Sequence, residues 1–295
     1  MAVVDKTILA ALMILLLVFT AIGVYYLVYS IGGSSGPGEG VSGYLIGVDD
    51  AGEVGIRHWR YLILDPDSFE TPPQCGCYDV VLAYLNVGYA EEWRGYYGSL
   101  PDSILHGESE YEGEFLVEYW SDLWHGLMTR LALNYLARGY DGVYLDNIDA
   151  LEYVSNASWA SVDLANAMVD LVCNISHAVK ARYNAYVFIN IGGAIDLLYN
   201  DKLATCIDGV LREELWTRWT PTGPEPVDVN ESNEVLEALQ HIRGLGKHVI
   251  VVDPQSNSGE AERFCGLAWS YGFSPVPQPA WSPDYTVPPP SDWCS

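Results

Sequence analysis

Basic residues are scarce in this chain. Its 295 residues include 14 Lys and Arg against 39 Asp and Glu, a formal net charge of −25, and only four of the cations are lysines. That excludes nucleic acid as a partner, because neutralising phosphates needs a basic surface. No glycine-rich phosphate loop, no HExxH helix and no strand-borne serine nucleophile elbow occurs. No His/Cys pair has zinc-ligand spacing, so neither metal nor organic cofactor is expected. A mid-chain linker and internal repeats are also missing, so the part beyond the first segment, roughly 250 residues, reads as one domain with a full core.

Charge is absent altogether from Thr7 to Ile31. A run of 25 uncharged residues is long enough to cross a bilayer as a helix and longer than the apolar stretch of a cleaved signal peptide. The expectation is an uncleaved anchor over residues 1–31. Lys6 and the terminal amine precede it, offset in part by Asp5, while Glu39, Asp49 and Asp50 follow. Positive-inside reasoning puts the N-terminus in the cytoplasm and the remainder outside the cell. Gly32–Gly43 is Gly/Ser-rich and reads as a flexible tether. A domain over residues 44–280 follows, then a Pro-rich tail over 281–295 packed on it.

Six cysteines, Cys75, Cys77, Cys173, Cys206, Cys265 and Cys294, fall in this extracytoplasmic part, where disulfides are the default. Sequence does not choose among the possible pairings. Cys75 and Cys77 are expected to be too close for an easy mutual bridge, and Cys265 or a neighbour to tie down Cys294. Sequons begin at Asn156, Asn174 and Asn230.

What the chain does have is a repeated ending. Eight strand-like runs finish on a carboxylate or amide: Tyr44–Asp49, Tyr61–Asp65, Val80–Asn86, Gly142–Asp146, Tyr186–Asn190, Ile207–Glu213, Val249–Asp253 and Phe273–Gln278. Runs such as YLIL and VIVV are continuously apolar, as in parallel strands covered on both faces. Helical patterns separate the later runs: Ser121–Arg138 (Leu123, Leu127, Leu131 and Tyr135, with Gly139 as its stop), Ser158–Tyr183, Ser232–Gly244 and Gly259–Tyr271. This alternation predicts an α/β fold, a (β/α)₈ TIM barrel preceded by the transmembrane helix, with an open doubly wound sheet as the alternative. In a barrel the polar ends would ring one mouth, the face where such folds carry their sites.

Side chains alternate along a strand. Asp146 shares a face with Tyr144, Glu213 with Leu211, Asn190 with Phe188, Asp65 with Ile63 and Asp253 with Val251. If those faces point inward, the polar groups cluster above the barrel core. Two carboxyl groups flanking a bond are the usual glycosidase arrangement, and Asp146 and Glu213 are the candidate pair. Tyr and Trp are abundant, and sugar rings pack on aromatic planes. Trp216, three residues past Glu213, is the expected platform. The acidity reads two ways, as solubility at a cell surface or as a cleft attracting a cationic amino-sugar polymer.

The stretches Val81–Arg94, Phe115–Trp124, Gly139–Ala150 (GYDGVYLDNIDA), Val187–Gly193, Asp208–Trp216, Val249–Pro254 and Tyr271–Pro275 occur in the order found in glycoside hydrolase family 114, which this chain resembles. The resemblance to these endo-α-1,4-polygalactosaminidase-like proteins implies a (β/α)₈ barrel hydrolysing α-1,4-linked galactosamine polymers. It implies Asp146 as nucleophile and Glu213, rather than its neighbour Glu214, as acid/base, with Asn147, Asp149 and Asn190 accompanying them. Tyr84, Asn86 and Tyr89 of the third-strand stretch complete a substrate-binding set with Asp65, Trp216 and Asp253. Where many members read Gly-Glu after the third strand, this chain has Gly88-Tyr89, which implies a changed subsite. The function expected is an anchored extracellular glycosidase of two-carboxylate, retaining type. The alternative is a non-catalytic glycan-binding or cell-envelope protein on the same scaffold.

Overall fold

The computed structural model describes residues 40–109, 111–154 and 161–294. The expected anchor and most of the tether lie outside them, as does the sequon at Asn156. No helix among the described residues is long and apolar enough to cross a membrane.

Eight parallel strands form one sheet in chain order: β1 Gly43–Leu45, β2 Trp59–Leu64, β3 Tyr78–Asn86, β4 Gly142–Asp146, β5 Tyr186–Asn190, β6 Gly209–Glu213, β7 His248–Gln255 and β8 Ser274–Pro279. The helices are α1 Ala51–Val54, α2 Asp122–Ala137, α3 Leu164–Tyr183, α4 Asp201–Cys206, α5 Val229–Gly244 and α6 Ser258–Ser270. All eight expected runs became strands, but the helical complement is smaller than (β/α)₈. Among the described residues, the β2–β3 connection over residues 65–77 carries no helix, and neither do residues 280–294 after β8.

The ring curls round to a seam between β8 and β1. There the Ser42 N–H donates to the Pro275 carbonyl at 2.8 Å. In a parallel strand the N–H and C=O of one residue point to the same side. Ala280 donates to Gln255 of β7, so the even-numbered residues of β8 face β7 and the odd-numbered ones face β1. The odd positions are Pro275, Pro277 and Pro279, which have no N–H to give. The chain thus closes the barrel with a strand whose seam edge only accepts.

Two apolar layers sandwich the strands. Ile63, Leu82, Tyr84, Tyr144, Phe188, Leu211, Ile250 and Val252 fill the barrel interior. Leu62, Leu64, Val143, Leu145, Val187, Val210 and Val251 face the helices. Phe188 stands where a side chain at position 209 would sit, so Gly209 makes room for that ring.

Ser121 caps α2 through the Trp124 N–H, and Gly139 follows its end at φ +104°. The buried stripe of α2 includes Leu127 and Tyr135 of the expected line together with Trp124 and Met128 beside it, while Leu123 is exposed. α3 begins at Leu164, capped by Asp163, and α5 begins at Val229, capped by Asp228. Both starts are set by an Asp cap that the apolar stripe does not mark.

Three disulfides form: Cys75–Cys77, Cys173–Cys206 and Cys265–Cys294. The first corrects the expectation that those two residues are too close for an easy bridge. Gly76 takes a left-handed φ of +60°, which doubles the chain back and brings the Cα atoms to 5.1 Å. The third ties the tail to α6, as expected.

Candidate active site

The β3–α2 connection inserts a three-stranded antiparallel sheet, Tyr89–Glu91, Glu114–Val117 and Leu105–Glu108, beside the C-terminal ends of the barrel strands. Together they enclose a cleft of about 1160 Å³. It is lined by Tyr44, Tyr84 and Asp146 of the barrel strands, by His106, Glu108, Tyr111 and Glu114 of the insertion, and by Pro283, Asp284 and Tyr285 of the segment after β8. A second groove of about 660 Å³ on the outer faces of α2 and α3 is lined by His125, Arg130, Asn174 and Arg182, with no carboxylate among its lining residues.

Asp146 and Glu213 stand at the ends of β4 and β6. Between them, on β5, Asn190 Nδ2 donates to Asp146 Oδ1 at 2.9 Å and to Glu213 Oε1 at 3.0 Å. One nitrogen touching both oxygens keeps them within about 6 Å of each other, the scale of a glycosidase carboxyl pair. Burial pushes Asp146 above its ordinary carboxylate value, against the pull of Asn190, the Tyr84 hydroxyl and the Asn147 N–H. Glu213 is raised to about 7 by burial and by the nearby Asp146 charge, against its hydrogen bonds from Tyr285 and Asn190. Its neighbour Glu214 also lines the cleft, at φ 55°, but accepts from the Trp219 backbone N–H at 2.7 Å, and of the two glutamates it is Glu213 that shares the Asn190 amide with Asp146.

Seven of the expected site residues line the cleft: Tyr84, Tyr89, Asp146, Asn147, Asp149, Asn190 and Glu213. Asn147 sits at φ 59°, the turn that follows β4. Asp149 Oδ2 accepts from the Gly193 N–H at 3.0 Å, so the Gly192-Gly193 pair that follows β5 cradles a protein carboxylate.

Four do not line it. Asp253 has the opposite phase from the one expected. Val251 faces the helices while Ile250 and Val252 face inward, so Asp253 points out of the barrel. There it accepts from the N–H groups of Leu215, Trp216 and Thr217 at 2.8–2.9 Å. Trp216 is consequently held outside the cleft, edge-on to Phe264 and stacked on Tyr271, and is no sugar platform. Asp65 is paired with Arg94 at 2.7 Å, and Arg94 also binds the buried Glu91 at 2.7 Å. Asn86 is buried and accepts the Tyr89 N–H at 2.9 Å, shaping the turn after β3. Of the polar ends given less weight, Asp49 is exposed beyond β1. Gln278 is buried and donates to the Ser282 and Val287 carbonyls of the tail.

Sequence reasoning missed Tyr44, Glu108, Glu114, Asp284 and Tyr285. Glu114 is raised to about 7 by burial and by the charges of Glu91 and Asp146. The Tyr285 hydroxyl donates to Glu213 Oε2. Tyr44 was readable from its inward phase on β1; Tyr285 lies after the last strand, where no periodicity applies.

A parallel eight-stranded barrel with two amide-bridged carboxyl groups at its mouth has the layout of a glycoside hydrolase active site. The pattern of glycoside-hydrolase family GH114 matches residues 64–282. The chain belongs to that family. It is 28% identical over 219 residues to an uncharacterised protein of Thermotoga maritima, covering 72% of this chain and 65% of that one. It is 29% identical over 211 residues to one of Methanocaldococcus jannaschii, covering 66% and 60%. The chain thus spans less than two thirds of the length of these curated relatives. In fold it is similar to the glycoside hydrolase domain of PelA from Pseudomonas aeruginosa, with TM-score 0.68, 14% identity, and 84% of this chain and 96% of that one covered. Aspergillus fumigatus Ega3, solved in complex with galactosamine, is similar with TM-score 0.58, 16% identity, and 83% and 93% covered.

Proposed function

We propose that this domain hydrolyses an α-1,4-linked galactosamine-type polysaccharide with retention of configuration. The observation that carries this is the single Asn190 amide spanning Asp146 and Glu213. That span favours the closer carboxyl separation of retaining enzymes, about 5–5.5 Å, over the roughly 6.5–9.5 Å of inverting ones.

Asp146 attacks the anomeric carbon, forming an ester bond as the glycosidic C–O bond breaks. The departing oxygen takes the Glu213 proton. Water then attacks the same carbon and gives a proton to the Glu213 carboxylate. The ester breaks, and both groups return to their starting states. The division of labour follows from environment. Glu213 carries a pKa near neutrality, while Asp146 receives three donors that favour its charged form.

Seven carboxylates line the cleft, Glu108, Glu114, Asp146, Asp149, Glu213, Glu214 and Asp284, against His106 and Arg212. That balance suits a polymer with free amino groups and disfavours an anionic glycan. The uncharged run Thr7–Ile31 and the three disulfides support a membrane-anchored protein with its barrel outside the cell. The test is to incubate the purified protein with unacetylated and N-acetylated α-1,4-galactosaminoglycans and follow new reducing ends. Release from the unacetylated polymer, lost in Asp146→Asn, is the expected result. Tight binding without release would favour a glycan-binding role instead.

A further inference from the structure

The segment after β8 contains no helix or strand among its described residues, yet it is fastened along its length. Gln278 Nε2 donates to the carbonyls of Ser282 and Val287 at 3.1 and 3.2 Å. Ser282 Oγ accepts the N–H groups of Thr286 and Val287 at 3.0 Å each. Arg57 Nη1 donates to the Pro290 and Trp293 carbonyls at 3.3 and 2.9 Å. Cys294 is bonded to Cys265 of α6. These ties present one side chain to the chemistry. The Tyr285 ring packs between Tyr44 and Trp219, at 4.3 and 6.0 Å between centroids, and its hydroxyl meets Glu213 Oε2. Its backbone sits at φ 56°. A bulky non-glycine residue holds that conformation only where its surroundings over-determine it.

Resting on the assignment of Glu213 as proton donor, we propose that Tyr285 is a positioning residue for Glu213, delivered to the barrel mouth by a disulfide-fastened strap. The two carboxyl oxygens of Glu213 are differently occupied. Oε1 faces Asp146 across the Asn190 amide, and Oε2 receives the Tyr285 hydroxyl. A strong donor on Oε2 makes it the carbonyl-like oxygen and leaves the acid proton on Oε1. That is the oxygen nearer Asp146, where the glycosidic bond must lie. When the proton leaves, the same hydroxyl stabilises the resulting carboxylate. Burial and the charges of Glu213 and Asp146 hold the Tyr285 phenol far above its ordinary value, so it remains a donor throughout. The other groups facing Glu213 are Asp146 and Tyr144 from β4, Tyr44 from β1, and Glu214 beside it. Both acids among them oppose its ionisation, and Tyr285 and Asn190 favour it.

The experiment reads Glu213 directly. The side-chain carboxyl carbons of glutamate are labelled with carbon-13 in the full protein, and Glu213, assigned through Glu213→Gln, is titrated by NMR. Wild type is compared with Tyr285→Phe, which keeps the ring, and with the double variant Cys265→Ser/Cys294→Ser. Tyr285→Phe is expected to raise the Glu213 midpoint by about one pH unit. The high-pH limb of kcat/KM should move with it, and kcat should fall about tenfold with little change in KM. The cysteine variant is expected to reproduce that upward shift, because freeing the strap withdraws the hydroxyl. An unmoved Glu213 titration in Tyr285→Phe would overturn the positioning role. An unmoved titration in the cysteine variant alone would overturn the part given to the disulfide. A wild-type protein that releases no reducing ends would sink the hydrolase reading, while the titration would still decide the role of Tyr285.

Discussion

Asp146 and Glu213 share a donor. The amide of Asn190 reaches one oxygen of each, at 2.9 and 3.0 Å, from the strand that lies between theirs. Two carboxyl groups that would otherwise repel are spaced by a neutral group that can only donate from that atom.

Asn190→Ala is therefore expected to loosen the pair without removing either carboxyl. Misplacement on the ångström scale costs catalysis about 100-fold, and kcat should carry most of the loss. Steady-state kinetics on the polymer would check this; an unchanged kcat would remove Asn190 from the machinery.

Asp146→Asn and Glu213→Gln should differ in kind. Loss of the nucleophile should abolish turnover on every substrate. Loss of the proton donor should cost about 10²–10⁴-fold on natural linkages and far less on an activated aryl glycoside whose leaving group needs no proton. The comparison of substrate classes within each variant is the measurement.

The pH profile follows from the raised carboxyls. Glu213 must be protonated to act as acid, so kcat/KM should fall as pH rises through about 7. Asp146 must be ionised to attack. Its folded pKa lies above the ordinary value, so the acid limb should lie above that of an unperturbed aspartate. A flat profile between pH 5 and 9 would contradict the assignment of Glu213 as the acid.

Asp253→Ala should cost stability rather than substrate contact. It strands the amides of Leu215, Trp216 and Thr217. Losses of about 1–3 kcal/mol accompany each buried donor left unpaired, so the urea midpoint should drop while KM of the remaining folded fraction holds.

Arg94→Met should be similarly costly, by about 3–5 kcal/mol, because it leaves the buried Glu91 carboxylate uncompensated. Glu91 is already raised by burial against the pull of Arg94. Without Arg94 its folded pKa climbs further above the unfolded one, and the folded state then binds the extra proton. The deficit should therefore shrink as pH falls through that raised value, which denaturation at pH 7 and pH 5 would reveal.

The strand ends were legible because a polar residue closing an apolar run survives any error in strand phase. Phase itself was legible at Asp146, Glu213 and Asn190. It failed at Asp253, since a run such as Val249–Val252 is apolar on both faces and alternation leaves no mark. Trp216 failed with it, because the grip of Asp253 on the following loop decides where that indole goes. Asp65 illustrates a different limit. Its phase was right, but Arg94, 29 residues later, claims its charge. Tyr285 had no local signal at all, because its place depends on a cross-link and a run of capped turns that come together only in three dimensions.

The prolines of β8 bear on how the ring behaves as a mechanical object. Seven of its joints are ladders, while the eighth, at Ser42 and Pro275, is a clasp. Strain in the barrel will open first at that clasp, next to Tyr44, the residue on which the ring of Tyr285 rests. The wear point of the scaffold and the hinge-pin of its proposed acid are thus neighbours. Whatever slackens one is felt by the other.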